Sequence, residues 1–265
     1  MHCKNCNTNL NENQNYCFEC GAKIIKQRLT LKHISEDVIE QFFNIDNKLL
    51  QTFIQLFTKP EAVINSFIEG TRKKHINVIQ YFALSLTLVG IQIFLMNTFF
   101  KDAISEGFPF LENLDSISNS EKNPFEEYEK SVEIINNYQS LVYILSVPIS
   151  AIASWLSYSI FLNDKRYNFT EHIVINLFYS SQTIIVTAAL NILFLCFGLN
   201  YFTIASFISI LSFIYYFYVL KRVFNTNFID TIARYLIIFL VYSIMILILL
   251  IITVIIGLII VSLKN

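Results

Sequence analysis

The chain reads as an all-α membrane protein, a five-helix transmembrane bundle behind an N-terminal four-cysteine module and a set of amphipathic juxtamembrane helices. Three observations predict this. Hydrophobic residues make up 54% of the chain and mean hydropathy is +0.52, too apolar for an ordinary soluble domain. The apolar residues gather in blocks, 75–100, 134–162, 173–220 and 235–263, that contain no Asp, Glu, Lys or Arg. Ahead of them all stand two C-x-x-C pairs, Cys3 with Cys6 and Cys17 with Cys20, separated by ten residues.

Each C-x-x-C places two thiolates on one side of a tight turn, and two such turns face to face complete the tetrahedron of a structural zinc site. Residues 1–24 have too few apolar side chains to fold otherwise. Zinc therefore serves as the core of this ribbon, contributing on the order of 10–16 kcal/mol. With Cys3, Cys6, Cys17 and Cys20 all as ligands no corner is left for water, so the ion is structural and not catalytic. Two disulfides would suit a secreted knot. The first residues are polar, however, and the first apolar run begins beyond residue 75, which argues for a reducing compartment instead. Gly21 follows the second pair and Asn7 the first; both residue types tolerate the left-handed conformation a knuckle needs. His2 reads as a bystander and Cys196 as a small core hydrophobe.

A helix needs roughly 20 residues to cross the hydrocarbon core. The first, second and fourth blocks fit one span each, about 76–100, 138–162 and 236–262. The third holds 48 residues and divides into 173–197 and 202–220 at Gly198-Leu199-Asn200, where glycine and asparagine permit a reversal. Residues 101–137 form an outer loop. With the N-terminus inside, ten Lys/Arg precede the first span and Lys165, Arg166, Lys221, Arg222 and Arg234 lie on the same side. Outside remain only Lys101, Lys122, Lys130 and Lys264. Fifteen against four places the ribbon in the cytoplasm and the C-terminus outside.

Between ribbon and bundle, residues 28–75 carry a helical stripe, Leu31, Ile34, Val38, Phe42, Ile45, Leu49, Phe53 and Leu56, widened by Ile39, Phe43, Leu50, Ile54 and Phe57. Asn44 or Asp46 can cap a break within it. Pro60 and Glu61 mark a fresh helix start and Gly70 its end, with Val63, Ile64, Phe67 and Ile68 on the apolar side and Thr71 as a cap for the first span. Two arrangements satisfy this pattern: helices packed on the bundle, or an interfacial segment lying among headgroups. Arg72, Lys73 and Lys74 are the candidate headgroup contacts, at roughly 1 kcal/mol of attraction per cation to an anionic leaflet.

The order of these features resembles a bacterial family of integral membrane proteins that carry a zinc ribbon and a domain of unknown function, number thirty-six sixty-seven. The motifs behind the resemblance are R-x-T-x-K at Arg28 to Lys32, T-x-x-x-L-x-x-x-P at Thr52 to Pro60, and aromatic-x-x-G-x-R at Phe67 to Arg72, with His75 where the family often has tyrosine. The likeness covers about residues 1–77. It implies a place in the bacterial cytoplasmic membrane and no particular activity.

The expected spans contain no Asp, Glu, Lys or Arg, which disfavours a proton relay or charged-substrate path. Gln80, Gln92, Asn97, Gln139, Asn176, Gln182 and Asn191 read as interhelical hydrogen-bonding groups, and Pro148 in the serine-rich run 146–159 as a kink that can leave a gap. No nucleophile with a base, phosphate loop or carboxylate pair stands at useful spacing, so the expectation is a non-enzyme. The ribbon's small positive surplus is too weak for nucleic acid. What remains is a membrane-anchored zinc-ribbon adaptor or scaffold, with lipids, a protein partner at ribbon or neck and a homo-oligomer as the expected associations. The alternative is a transport or lipid-handling bundle regulated by its ribbon, resembling the trafficking family Yip in topology alone.

Overall fold

In lipid a segment must satisfy its own backbone polar groups, which makes helices of the charge-free blocks. The computed structural model describes residues 2–11, 14–22, 24, 48–100, 134, 137–199 and 201–264, in two compact units, 1–47 and 48–265. The stripe from Leu31 to Ile45, the caps proposed at Asn44 and Asp46, and the greater part of the 101–137 loop lie outside the described residues.

The second unit is helical. Helix α1 covers 48–58, α2 Pro60–Ile68, α3 Val78–Phe99, α4 Gln139–Leu156 continued by a π-helical turn Ser157–Phe161, α5 Phe169–Cys196, α6 Tyr201–Val223 and α7 Phe228–Lys264. Among the described residues five helices, α3 to α7, are long and apolar enough to cross a membrane. Helix α5 sits centrally, against α3, α4, α6 and α2.

The local signals act where the sequence places them. Pro60 has no N–H to donate and pushes Lys59 out of the helical region, to φ −145°, so the chain breaks there and restarts as α2. Gly70 at φ +99° ends α2, with the Thr71 N–H returning to the Ser66 carbonyl at 2.8 Å. The reversal after α5 uses Gly198 at φ +70°, and Leu199 N–H reaches back to Phe194 O at 3.2 Å.

One expectation is revised, and two helices begin ahead of the charge-free blocks. Asn77, not Thr71, caps α3: its side chain accepts from the Ile79 N–H at 2.9 Å, because Thr71 is held in the turn that closes α2. Helix α5 begins at Phe169 rather than 173, because Asn168 and Glu171 form a reciprocal capping box that carries the helix past the charge-free block. Helix α7 begins at Phe228 rather than 236 and so includes Asp230 and Arg234.

The described part of the neck packs on the bundle. Leu56, Val63, Ile64 and Phe67 are buried in one cluster with Tyr81, Tyr158, Phe178, Val219, Leu220 and Phe224. The last carbonyls of a helix have no partner within it. Those of α1 find them on α6: Tyr215 O–H donates to Leu56 O at 3.1 Å and Tyr218 O–H to Thr58 O at 2.9 Å. Gln182 of α5 donates to Phe53 O at 3.2 Å while accepting from the Tyr81 hydroxyl, tying α1, α3 and α5 together. Arg222 of α6 pairs with Glu61 of α2, its Nε at 3.0 Å from the carboxylate. Leu50 and Ile54 remain exposed on the other side of α1, and Phe57, 42% exposed, sits at its edge with its ring 5.6 Å from that of Tyr215. Leu56→Ser is expected to destabilise the full chain in detergent by about 3 kcal/mol, read as a lowered thermal midpoint, since it leaves a void and a buried hydroxyl. An unchanged midpoint would show that α1 detaches freely.

The polar residues of the spans divide by partner. Asn97 Nδ2 reaches Asn137 Oδ1 at 2.9 Å, so it, Asn176 and Gln182 link separate segments. Gln92 and Gln139 instead bond within their own helices, to Met96 and Tyr143.

Candidate functional site

The described residues of the first unit contain two copies of one turn. Cys3 N–H donates to Thr8 O and Asn7 N–H to Cys3 O, each at 2.9 Å; Cys17 N–H donates to Ala22 O and Gly21 N–H to Cys17 O, also at 2.9 Å. Asn7 at φ 59° and Gly21 at φ 69° occupy equivalent left-handed positions, so asparagine takes the place of glycine without altering the turn. Cys3, Cys17 and Leu10 form a small buried cluster with Ala22 and Ile24 against it.

The turns bring all four sulfurs within 4.8 Å of one another. Cys3 Sγ lies 3.6 Å from Cys20 Sγ, and Cys6 Sγ 3.6 Å from Cys17 Sγ. These cysteines are free thiols. A tetrahedral ion with metal–sulfur bonds of about 2.3 Å has a sulfur–sulfur edge of about 3.8 Å, which this spacing matches. The four cysteines are therefore close enough together to hold one metal ion. Thr8 Oγ1 lies 3.1 Å from Cys6 Sγ and lowers that thiol's pKa. The Cys20 thiol is drawn down to about 6, first by the Asn5 side chain and then by the Ala22 amide. Both effects favour the thiolate, the form that binds metal.

At the end of the bundle where α4 meets α5, a charge cluster joins elements distant in sequence. Asp164 accepts from Arg166 at 2.6 Å and from Arg234 of α7 at 2.7 Å, and Arg166 Nη1 donates to Phe224 O at 2.6 Å. The guanidinium groups, Arg166 first, hold the Asp164 carboxyl well below the usual carboxylate range. Arg234 also stands 5.2 Å from the Tyr158 ring centroid, and Tyr158 stacks on Phe224 at 3.9 Å.

Behind Tyr158 lies a group that sequence reasoning missed. Ser154 Oγ of α4 is 3.0 Å from His172 Nδ1 of α5, and Asn176 Nδ2 donates to Ser154 Oγ at 3.0 Å and to His172 O at 2.8 Å. A hydroxyl and an imidazole are thus in hydrogen-bonding reach, although no sequence spacing pairs them. Ser154 and His172 are 2% and 1% exposed, and the asparagine holds the serine oxygen rather than orienting the imidazole. The geometry locks α4 to α5. A signal was present in the i, i+4 placement of His172 and Asn176, which puts two polar residues on one face of α5.

Of the expected headgroup contacts, Arg72, Lys73 and Lys74 are all exposed, in the segment between α2 and α3. Arg72 lies over the Phe67 ring at 5.2 Å, which anchors its stem to the core of the unit. His75 beside them is buried with both ring nitrogens unpartnered, and burial, then Lys74, lower its pKa.

Comparison with curated proteins and with solved structures finds no match. A family model described as Protein of unknown function (DUF3667) matches residues 46–90, which covers α1, α2, the segment to Asn77 and the first half of α3.

Proposed function

We propose that the chain is a multi-pass membrane protein that acts by binding, a zinc-ribbon adaptor whose bundle anchors a cytoplasmic docking module at the bacterial inner membrane. The observation that carries this reading is the ribbon's surface. Its four thiolates leave no position for substrate, while Tyr16 and Phe18, in and beside the second knuckle, are 61% and 67% exposed. Aromatic side chains held outward on a rigid, metal-closed turn are the usual anchors of a protein interface. Zinc is the ion assigned, since four thiolates in a closed tetrahedron suit it and a cytoplasmic setting keeps them reduced. Fifteen of the nineteen Lys/Arg fall on the ribbon's side of the bundle. The partner class is a protein with an apolar pocket for the two aromatics; nucleic acid is disfavoured, and catalysis with it.

Two measurements on intact cells test this. A photo-crosslinking residue at Tyr16 or Phe18 is expected to give one discrete protein adduct that disappears when Cys20→Ser removes a ligand. No adduct, or the same adduct without the metal site, would overturn the adaptor. In a Cys196→Ala background, a cysteine at Ser118 is expected to react with an impermeant thiol reagent from outside and one at Lys165 is not. The reverse pattern would place the ribbon outside.

A further inference from the structure

Helices α4, α5, α6 and α7 line a half-open cavity of about 260 Å³ in the side of the bundle. We infer that this cavity is a binding site for an uncharged membrane lipid whose small head carries both a hydroxyl and carbonyl oxygens, of the diacylglycerol type.

The lining defines the ligand. Among the described residues it includes no Asp, Glu, Lys, Arg or His, so a phosphate or ammonium would enter without a counter-charge and at a high desolvation cost. Donors are plentiful: the hydroxyls of Tyr216, Tyr235 and Tyr242 have no protein hydrogen-bond partner and reach open space, and they suit ester carbonyls. Acceptors are also present. Ser146 and Ser150 donate their protons to the Tyr143 and Val147 carbonyls at 2.9 Å each, which leaves their oxygens as acceptors. Asn176 also lines the cavity, but its amide nitrogen is committed to Ser154 and His172 and its Oδ1, though without a partner, is buried away from the open space. A quinone head offers acceptors only and would leave the serine oxygens without a donor; an alcohol supplies one.

The approach is from the bilayer. Phe213 of α6 and Phe239 of α7 line the cavity with ring centroids 6.2 Å apart, and they are 52% and 50% exposed on the apolar outside of the bundle. The two rings meet edge to face, so lipid tails can remain among the chains while the head enters past this pair when it parts. Pro148 stands between Ser146 and Ser150 and has no N–H to donate, so the backbone ladder of α4 is interrupted on the serine face of the cavity. The volume is that of about nine water molecules at about 30 Å³ each, close to a glycerol unit with its ester groups.

The test uses the full chain in phosphatidylcholine nanodiscs and a diacylglycerol bearing a diazirine near its head. Saturable labelling is expected on peptides of α6 and α7, with dioctanoylglycerol competing at least about tenfold better than dioctanoyl phosphatidic acid or decylubiquinone. Combined Tyr235→Phe and Tyr242→Phe, which remove two oxygens and no ring, are expected to weaken apparent affinity about tenfold, because two hydrogen bonds are lost. Ser150→Leu, which fills the space, should abolish saturable labelling while the chain still elutes as one species. Labelling that does not saturate, that survives all these substitutions, or that the anionic lipid or the quinone displaces equally would overturn the proposal. A site holding only water gives the first of these results. The readout is independent of the ribbon, so its failure leaves the adaptor reading untouched.

Discussion

Purified protein is expected to carry one zinc ion per chain, and Cys3→Ser, Cys6→Ser, Cys17→Ser and Cys20→Ser are each expected to lose it. The effect is expected to be large because a bound ion would supply most of the folding energy of residues 1–24, on the order of 10–16 kcal/mol for comparable modules. Its buried cluster of Cys3, Leu10 and Cys17 is too small to substitute. Chelation should expose residues 1–24 to protease while α3 to α7 stay folded, since those helices satisfy their own backbone bonds. Acidification should release the metal as protons compete for the thiolates. Metal analysis showing no ion, or a coloured iron centre, would sink the zinc assignment.

The second large effect is expected at Asp164. Asp164→Ala leaves Arg234, 18% exposed, with its cation facing Tyr158 and no carboxylate, and should lower bundle stability by about 3 kcal/mol. Arg234→Met in the same chain should recover part of that loss, because the unpaired charge is then gone. Thermal unfolding in detergent reads both; equal stability of wild type and Asp164→Ala would mean the cluster is incidental. The pH dependence follows from the direction of the shift. A carboxyl held below its ordinary value contributes stability that is present above about pH 4 and lost only as pH falls toward the folded value. Between pH 5 and 8 the wild-type contribution should therefore be flat.

Much of the architecture was legible because it rests on backbone preferences that single residues carry. The paired C-x-x-C turns, the break at Pro60, the stop at Gly70 and the reversal at Gly198 all depend on φ restrictions or on a missing N–H within a few residues. The five spans were legible for an equally local reason, since charge is excluded from hydrocarbon. Helices α5 and α7 begin ahead of the charge-free runs for the converse reason: a capping box and a paired arginine carry a helix past the point where its apolar run ends.

By itself, then, the sequence determined the kind of protein: a four-thiolate turn module, a neck with defined breaks, and five helices suited to a membrane. Tertiary structure alone decided what meets what. It brought Ser154 to His172, set Tyr215 and Tyr218 under the open end of α1, closed Arg234 on Asp164, and gathered tyrosines of α6 and α7 around a cavity beside Asn176. The physical reason lies in the helices themselves. A span that is apolar on every side carries no stripe to say which face turns inward, so its rotation and neighbours are settled by packing and by a few buried hydrogen bonds between residues far apart in the chain.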